Sequence, residues 1–562
     1  MNVAWLTFFC LLCFFLAYRY YSKYLAKKVY ETERDDFTTP AHELRDEVDF
    51  VPSKKHVLFG HHFSSIAGAA PILGPAIAIM WGWLPALLWV VLGTIFMGAV
   101  HDYGALTLSV KNKGKSIGAI TQKIIGRRSK ILFLTIIFLL VFIVIAVFAY
   151  AIANLFVQYP GSVIPINFEI LVAIAIGKWA YKKGRSLLIP SIIALILLYL
   201  TVYLGFLYPV TLPEWMWIGG SEVMTWIVFL MVYGFVAAVL PVWTLLQPRD
   251  FINSHQLIVG LILIYLGIFI TQPEMDAPAL NLSNVEVDWF PFLFITIACG
   301  AISGFHALVA SGTSSKQLNK LKDARLIGYG SMLGEASLAL AATIAVAAGF
   351  ENADAWHAHY GNYAEASGMG AKLGAFVDGT SSFLEVLGLN VVMDNGEVTQ
   401  TLSAVFISVL VISFAATSLD TAIRIQRYIL GEIGEIVKVK PLQKNRYVQS
   451  GLAVGLSFLL VISGESGQGG LALWPLFGST NQLLGSLTLL VITLWLFQTK
   501  KNFWVAAIPM VFVTAMTFIA TLYNMVHYVH DQSWLLFAIA FLIAVCQLWI
   551  VVEGVASFRR SR

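Results

Sequence analysis

Residues 60–79, GHHFSSIAGAAPILGPAIAI, are apolar overall but carry features that an ordinary membrane-spanning helix lacks. Two adjacent histidines, two serines, several glycines and two prolines interrupt the apolar run. In hydrocarbon, irregular backbone persists only where protein or a water-filled cavity surrounds it, because unpaired N–H and C=O groups are costly there. Transporters use such interrupted helices to present backbone groups and helix dipoles to a substrate or an ion. The stretch therefore favours membrane transport as the function.

The remainder of the chain has the composition of a polytopic membrane protein. Of its 562 residues, 58% are hydrophobic and 12% are charged, whereas soluble domains carry roughly 25% charged residues. We predict an all-α fold with about 15 transmembrane helices, since a run of roughly 20 apolar residues crosses a bilayer. The predicted spans are 2–22, 57–80, 83–109, 131–153, 166–180, 187–208, 223–247, 256–272, 290–312, 326–349, 399–423, 447–463, 470–497, 503–523 and 533–554.

The basic residues predict how these spans are oriented. With the N-terminus outside, only Lys372 of the 36 Lys and Arg residues falls in a predicted outside loop. This agrees with the concentration of Lys and Arg on the cytoplasmic side of membrane proteins, and it places the C-terminus in the cytoplasm. Basic residues such as Arg19 and Lys23 follow the first span and do not precede it, so we expect an uncleaved helix and not a signal peptide.

A second segment interrupted by glycine and proline lies at 223–247 and contains GFVAAVLPVWTLLQP. If 57–80 is the first of five spans, 223–247 is the first of the next five, and the two cross the membrane in opposite directions. Such a pair indicates an inverted-repeat transporter. The chain then divides into a first helix with a cytoplasmic linker, two repeats and additional C-terminal helices: 1–56, 57–208, 223–423 (including an extracellular segment 350–398) and 447–562.

The histidines and serines of the first interrupted helix are candidates for a binding site. A histidine is able to carry a coupled proton because its pKa lies near ambient pH, while serines and freed carbonyls hold substrate. The alternative is that these side chains only satisfy the interrupted backbone. Together with two residues of the second interrupted helix, the candidate substrate-binding residues are His61, His62, Ser64, Ser65, Gly68, Ala69, Pro71, Phe235 and Pro241.

Other polar residues inside the spans are candidates for ion coupling. A buried Asp102 needs a partner such as His101, His61 or a backbone amide, and its alternative role is an interfacial cap. The hydroxyls at the end of span 290–312 suit a cation or a polar substrate, although a helix end that exposes carbonyls also accounts for them. The candidate coupling-ion residues are His61, His62, Asp102, Ser311, Thr313 and Ser314.

Charged residues near the span ends are candidates for gating or structural roles. Arg249 and Asp250 end the second interrupted helix, where they form either a cytoplasmic gate or a plain surface pair. Asp420 precedes Arg424 by one helical turn, and an i,i+4 pair is the simpler explanation. Glu335 is a deep carboxylate, for which a functional role is the default. The candidates for gating or structure are His101, Arg249, Asp250, Glu335 and Asp420.

Metal, cofactor and enzyme signatures are not found in the sequence. His61, His62, His101, His306 and Asp102 offer metal ligands, but no metal-site spacing connects them, so we expect neither a metal nor a cofactor. The four cysteines lie in apolar spans and form neither a disulfide framework nor a zinc motif. The HExxH pair of metalloproteases is absent, which argues against an intramembrane enzyme.

Several motifs resemble one known family. GHHFSSIAGAAPILGPAIA, HDYGAL, KGKSIG, LLQPRD, SGTSSKQ, SLDTAIRIQRY and LWPLFGSTNQLL follow the order of the carbon starvation protein family (CstA). The resemblance implies uptake of peptides or pyruvate across a bacterial inner (plasma) membrane under carbon starvation, usually by proton symport. It also implies the inverted five-plus-five helix fold of the leucine transporter (LeuT), with 57–80 and 223–247 as broken helices and 290–312 as the eighth core helix.

The leading hypothesis is a secondary active transporter that takes up short peptides by proton symport. Pyruvate as substrate and sodium as coupling ion remain alternatives. Peptides are favoured because an anion needs a cation or helix N-termini at its site, and no deep Lys or Arg is expected in the core. A nutrient receptor without net transport is the alternative from another class, but the longest inside segment, 23–56, is short for a signalling domain. The expected partners are a small-molecule substrate, a coupling cation and the bilayer, with no nucleic acid.

Overall fold

Long helices form along most of the sequence, because a helix satisfies its own backbone hydrogen bonds in lipid. The computed structural model describes residues 2–34, 36–182, 187–282, 287–394, 396 and 398–560. Within these ranges, 12 helices are long and apolar enough to cross a membrane, or 13 if one bent pair is counted as a span. The chain is thus an α-helical, multi-pass membrane protein. A total of about 15 spans stays a prediction.

The main helices are numbered here in chain order. Those of the first half are α1 (Val3–Val29), α2 (Lys55–Ile66), α3 (Ala70–Trp81), α4 (Trp83–Lys111), α5 (Ile117–Ile124), α6 (Arg127–Gln158), α7 (Pro160–Trp179), α8 (Leu188–Leu207), α9 (Glu222–Val239) and α10 (Leu246–Thr271). Those of the second half are α11 (Trp289–Thr296), α12 (304–317), α13 (Leu321–Ala348), α14 (Ala353–Tyr360), α15 (Met369–Leu384), α16 (Leu402–Val437), α17 (Arg446–Ile462), α18 (Trp474–Gln498), α19 (Trp504–His530) and α20 (Trp534–Arg560).

The helices form a buried centre and an outer ring. In the most apolar part of α16, 94% of the residues are buried, against 28% in α1. Helices α13 and α18 are also central, whereas α8 and α20 expose apolar side chains along much of their length. Exposed side chains such as Ile189 and Leu535 suit a lipid environment, since they would be costly in water. The buried centre of the bundle thus includes α13, α16 and α18.

Segment 350–398 covers one end of the bundle. It contains α14, α15 and strand β1 (Val392–Asp394), which pairs antiparallel with β2 (Thr399–Thr401). Trp356 and Tyr360 of α14 pack in an apolar cluster with Ile77 and Trp83, and the Tyr360 hydroxyl donates a hydrogen bond of 2.8 Å to the Ala76 carbonyl. The segment is thus an ordered cap over the end of α3.

The first interruption lies where the sequence predicts it. Helix α2 ends at Ile66, α3 begins at Ala70, and the two are bent by 43°. Pro71 stands in the first turn of α3, where its missing N–H costs nothing. Gly68 approaches α16 so closely that a Cβ atom there would lie 2.5 Å from the Ser418 Oγ. The absence of a side chain at Gly68 therefore lets the interruption pack directly against α16.

The second interruption lies at 297–303 and not within 223–247. The prediction of one interrupted span over 223–247 is wrong: α9 ends at Val239, and Leu246 already begins α10. Pro241 forces Leu240 out of the helical conformation, to φ −70° and ψ 150°, and so ends α9. The span predicted at 290–312 is instead divided between α11 and α12, and Gly300 has a φ of +90° that favours glycine.

Side chains of neighbouring helices bind the backbone groups that the second interruption frees. Thr94 of α4 donates to the Gly300 carbonyl (2.8 Å), and the Trp89 indole donates to the Ile297 carbonyl (3.1 Å). The Phe305 N–H donates to the Asn481 side chain (2.9 Å). At the first interruption, Ser418 donates to the Ser65 carbonyl (2.9 Å). The interrupted backbone is thus stabilised by specific polar side chains, as a buried site requires.

The two interrupted helices, α2–α3 and α11–α12, have reciprocal neighbours: each packs against the helix that comes directly after the other in the chain. Helix α4 follows the first interruption and packs on α12, while α13 follows the second and packs on α2 and α3. Helices α6 and α16 pack along each other at the centre. Helix α10 packs on α2, and α18 packs on α12. The two interruptions therefore occupy equivalent surroundings.

A substitution at Gly98 tests how closely α4 approaches the second interruption. A Cβ atom at Gly98 would lie 2.1 Å from the Ala301 carbonyl oxygen, so we expect Gly98→Ala to destabilise the protein by about 1–3 kcal/mol through overpacking. The measurement is the unfolding temperature in detergent. Gly455→Ala in α17 is the control, because its Cβ would meet no atom within 4 Å. Equal unfolding temperatures for the two variants would contradict the packing described here.

Candidate functional site

Buried ionisable side chains gather where α2 meets α10, α12 and α16. His61 and His62 are consecutive on α2, so they point about 100° apart around the helix axis. His61 points toward α10 and Thr313, and His62 points toward Ser314. Both histidines are fully buried. The structure therefore brings together two of the predicted elements, the α2 histidines and the hydroxyls at the end of α12.

His61 and Asp250 form a direct hydrogen-bonded pair inside the bundle. His61 Nδ1 lies 2.5 Å from Asp250 Oδ2, and His61 Nε2 lies 3.1 Å from the Thr313 hydroxyl. Thr313 donates its own proton to the Val309 carbonyl (3.0 Å), so it accepts a hydrogen bond from His61 Nε2–H. The proton between Nδ1 and Asp250 then lies on either the imidazole or the carboxylate. This geometry suits a site that takes up and releases a proton.

Of the other polar residues of α2, Ser64 and Ser65 are hydrogen-bonded within the protein, whereas one ring nitrogen of His62 is not. Ser64 donates to the Asp250 backbone carbonyl (3.0 Å), and the Ser65 hydroxyl lies 3.1 Å from that of Thr421. Both serines therefore make contacts within the protein, in agreement with the alternative that these side chains have a structural role. His62 Nδ1 lies 2.8 Å from the Ser314 hydroxyl, while its Nε2 has no hydrogen-bond partner among the described residues. Of these side chains, His62 therefore has an atom free to bind a ligand.

Arg249 lies inside the bundle. Its Nη1 is 2.6 Å from Asp420 Oδ2 and 2.5 Å from the Tyr233 hydroxyl, and its Nε is 3.4 Å from Glu169 Oε1. A surface pair of Arg249 and Asp250 is therefore wrong: both are fully buried, because the first turn of α10 packs against α2 and α16. The expectation that the core holds no deep Lys or Arg is wrong for the same reason.

The carboxylates around Arg249 outnumber its positive charge. Glu169, Asp250 and Asp420 lie close to Arg249, Asp250 also contacts His61, and all five residues are buried. If every carboxylate is ionised, a protonated His61 still leaves one net negative charge. Uncompensated charge is costly to bury, so the cluster has to hold a further proton or attract a cation. We refer to these five residues as the α2–α10 cluster.

Asp420 and Arg424 do not pair with each other, so the i,i+4 explanation is wrong. Asp420 turns toward Arg249, whereas Arg424 lies 3.0 Å from Asp49 in the linker between α1 and α2. Arg427 also binds Asp49, at 2.9 Å. Burial acts to raise the pKa of Asp49, but the Arg427 and Arg424 guanidinium groups outweigh it and hold that pKa well below its usual range. These contacts tie the linker to α16.

A second buried cluster lies beside the second interruption. Asp102 has His101 Nδ1 at 2.7 Å and His306 Nδ1 at 2.9 Å, one on each carboxylate oxygen. The predicted partner His101 is thus confirmed, and His306 is a further partner that the sequence did not predict. His306 Nε2 lies 3.4 Å from Glu335 Oε2, and Glu335 Oε1 accepts the Gly300 N–H (3.1 Å).

The remaining predicted site residues lie in three places. Gly68, Ala69 and Pro71 are buried at the first interruption. Ser311 accepts the Ile117 N–H (3.1 Å) and thus joins α12 to the start of α5. Phe235 and Pro241 are not brought into the cluster, because 223–247 is not an interrupted helix. Phe235 faces Gly451 of α17, and Pro241 lies half-exposed in the turn 240–245.

Two residues around Arg249 were not predicted from the sequence: Glu169, which belongs to the α2–α10 cluster, and Tyr233, which lies beside it. Glu169 is a lone carboxylate within the predicted span 166–180, which is a signal that points to a buried partner. Tyr233 donates a hydrogen bond of 2.6 Å to Asp420 Oδ2, but tyrosines are common in transmembrane segments and gave no signal. Both side chains converge on Arg249 from different helices, and one sequence alone does not reveal that convergence.

Comparison with known proteins identifies relatives along nearly the whole chain. The family model described as "Carbon starvation protein CstA" matches residues 2–367 and 352–520. A Campylobacter jejuni protein named "Peptide transporter CstA" is 32% identical, over 91% of this chain and 78% of its own length. An Escherichia coli protein named "Pyruvate/proton symporter BtsT" is 31% identical, over 92% of this chain and 81% of its own length.

A solved structure also matches the fold. A variant of the Eremococcus coleocola manganese transporter superposes with a TM-score of 0.54, covering 92% of this chain and 99% of that one. The two sequences are 12% identical, so the match concerns the arrangement of helices alone. The chain therefore shares the helix arrangement of that transporter structure.

The Asp49 contacts predict a dependence of stability on pH. Because the pKa of Asp49 is lowered in the folded protein, its stabilisation is fully present above its unfolded pKa of about 3.9 and is lost as pH falls toward the folded value. We expect Asp49→Asn to destabilise the protein by roughly 1.5–3 kcal/mol, as for a hydrogen bond between charged groups.

The measurement for Asp49→Asn is thermal unfolding in detergent across a pH series. The difference from the unsubstituted protein should be constant between about pH 7 and 5 and should shrink below about pH 4. Asp36→Asn, at an exposed position of the same linker, is the matched control and should leave the unfolding temperature unchanged. A difference that grows on acidification would contradict the pairing of Asp49 with Arg424 and Arg427.

Proposed function

The chain belongs to the carbon starvation protein CstA family, and we propose that it is a secondary active transporter that takes up short peptides by proton symport. The buried His61–Asp250 pair beside the first interruption carries this proposal. Intramembrane ionisable residues of this kind mark proton relays and ion pathways. Relatives named as a peptide transporter and as a pyruvate/proton symporter support the same class of activity.

The proposed coupling site is the α2–α10 cluster. His61 and Asp250 exchange the coupled proton, and Thr313 holds the imidazole through His61 Nε2–H. Asp420 and Glu169 hold Arg249 next to them, so that the cluster keeps a negative balance that favours proton uptake. In this mechanism the proton is loaded from the outside and released to the cytoplasm, as the site opens to one side and then to the other.

The proposed substrate site adjoins the first interruption. His62 Nε2 and the backbone around Gly68, Ala69 and Pro71 are its candidate contacts, while Ser314 orients His62. An excess of carboxylates attracts the ammonium group of a peptide and repels a free carboxylate. This supports peptides as the first choice even though Arg249 is buried, because Asp420 and Glu169 already offset its charge. Pyruvate is the second candidate, supported by the relative named as its symporter.

We propose two inverted repeats whose interrupted helices are α2–α3 and α11–α12. The reciprocal packing of α4 on α12 and of α13 on α3 supports this pairing. The first repeat then comprises α2–α3, α4, α6, α9 and α10, with α7 and α8 as an inserted hairpin; the second comprises α11–α12, α13, α16, α17 and α18. This division replaces the repeats 57–208 and 223–423 expected from the sequence, because 223–247 is not an interrupted helix. The distribution of Lys and Arg supports an N-terminus outside and a C-terminus in the cytoplasm of the bacterial inner membrane.

Uptake into proteoliposomes tests the proposed coupling. We expect His61→Ala and Asp250→Asn to lose accumulation of a labelled dipeptide driven by a proton gradient, because neither variant keeps the shared proton. Exchange of labelled for unlabelled dipeptide, which needs no gradient, should persist. His527→Ala, at an exposed position of α19, is the matched control. If His61→Ala and His62→Ala both accumulate dipeptide normally under an imposed pH gradient, the proposed coupling site is wrong.

The same liposomes distinguish the alternatives. Labelled dipeptide and labelled pyruvate, each tested under a proton or a sodium gradient, should give accumulation of the dipeptide under the proton gradient. Accumulation of pyruvate alone would assign the second candidate substrate, and dependence on sodium would exclude the proton pair as the coupling site. A nutrient receptor would bind the dipeptide but show no exchange across the membrane, which would overturn transport altogether.

A further inference from the structure

Three buried side chains at the second interruption place metal-binding atoms close together. Cys299 Sγ, His306 Nε2 and a carboxylate oxygen of Glu335 all lie within 4.8 Å of one another. Cys299 belongs to the non-helical segment 297–303, His306 to α12 and Glu335 to α13. We propose that these residues bind one divalent transition-metal ion of the zinc type, which joins the second interruption to α13.

The spacing of the ligand atoms matches such an ion. His306 Nε2 and Glu335 Oε2 are 3.4 Å apart, and two ligands bound at about 2.1 Å to a tetrahedral ion are about 3.4 Å apart. Apart from each other, neither atom has a hydrogen-bond partner among the described residues, and both residues are fully buried. Two unsatisfied polar atoms thus point at one place, where a buried ion would bind both.

The surrounding groups orient each ligand. Asp102 Oδ2 accepts a hydrogen bond from His306 Nδ1 (2.9 Å), which leaves the lone pair of Nε2 facing Glu335. The Gly300 N–H holds the other Glu335 oxygen at 3.1 Å. The Ser303 hydroxyl lies 3.2 Å and the Asn481 amide nitrogen 3.6 Å from Cys299 Sγ, where both are able to donate to a thiolate. A carboxylate–histidine pair behind a metal ligand is the usual outer arrangement of zinc sites.

The charge of the cluster also fits a divalent ion. The two anionic ligands, Glu335 and a Cys299 thiolate, bring two negative charges to the ion, and a divalent cation balances both while His306 stays neutral and hydrogen-bonded to Asp102. The competing occupant is a proton, since a protonated His306 between Asp102 and Glu335 explains the 3.4 Å distance as an ion pair. In that alternative the Cys299 sulfur is only a weak hydrogen-bond acceptor beside the His306 imidazole. Metal binding, by contrast, uses all three ligand types for which zinc has affinity.

Cobalt binding to the purified full-length protein tests the proposal. In detergent, under reducing conditions, we expect one Co²⁺ per chain, with a thiolate-to-cobalt charge-transfer band and the visible bands of tetrahedral cobalt, both displaced by Zn²⁺. Cys299→Ser should abolish the charge-transfer band, and Glu335→Gln should weaken binding at least tenfold. Asp102→Asn, which changes only the group behind His306, should weaken it roughly 10–100-fold.

The controls separate this site from other thiols and from unfolding. Cys10→Ser and Cys546→Ser alter buried cysteines in α1 and α20 and should leave the cobalt spectrum unchanged. Cys299→Ser exchanges one atom, and its unfolding temperature without metal shows whether it is folded. Less than one tenth of an ion per chain in the unsubstituted protein, or the same charge-transfer band in Cys299→Ser, would overturn the proposal. Neither result depends on transport activity.

Discussion

The structure depends on satisfying backbone groups at two helix interruptions inside the membrane. An unpaired N–H or C=O has no water to bind in lipid, so each interruption needs partners from other helices. Thr94, Trp89 and Asn481 bind the backbone at 297–303, and Ser418 binds the Ser65 carbonyl at the first interruption. These contacts require α4, α16 and α18 to be central and close, and they explain why those helices are buried while α8 and α20 form the periphery.

The polar surroundings of the interruptions also make buried charge possible. Arg249 is stable inside the bundle because Asp420, Glu169 and the Tyr233 hydroxyl converge on it from three helices. Breaking one contact of such a group leaves an uncompensated charge, so these residues act as a unit. The His61–Asp250 pair lies at the edge of this unit, where the gain or loss of one proton changes its net charge. The proposed proton coupling and the integrity of the fold thus involve the same side chains.

The sequence predicted the features that depend on local chemistry. Adjacent histidines and a glycine–proline pattern located the first interruption to within a few residues, because such a stretch is incompatible with a continuous helix. The second interruption was predicted in the wrong segment, because the predicted spans 223–247 and 290–312 both contain glycine and proline. In 223–247, Pro241 ends a helix at a turn, whereas at 297–303 the decisive residue is Gly300, whose positive φ no sequence pattern marks.

Partners of charged residues were predicted less well, for a physical reason. Asp420 and Arg424 have the spacing of a helical pair, yet each finds a stronger partner on another element, Arg249 and Asp49. An i,i+4 pair on a helix surface provides only about 0.2–0.5 kcal/mol. Pairs between residues far apart in the sequence outweigh it in the low-dielectric interior. The ligand set Cys299, His306 and Glu335 has no characteristic spacing, because its members come from three different elements.

Helix α12 connects the two clusters. His306 and Thr313 both belong to this helix, seven residues apart. Thr313 holds His61 of the first cluster, while His306 contacts Asp102 and Glu335 of the second. A movement of α12 along its axis therefore changes the hydrogen bond to His61 and the geometry around Glu335 together. An ion bound at Cys299, His306 and Glu335 would restrain α12 and so maintain the contact between Thr313 and His61.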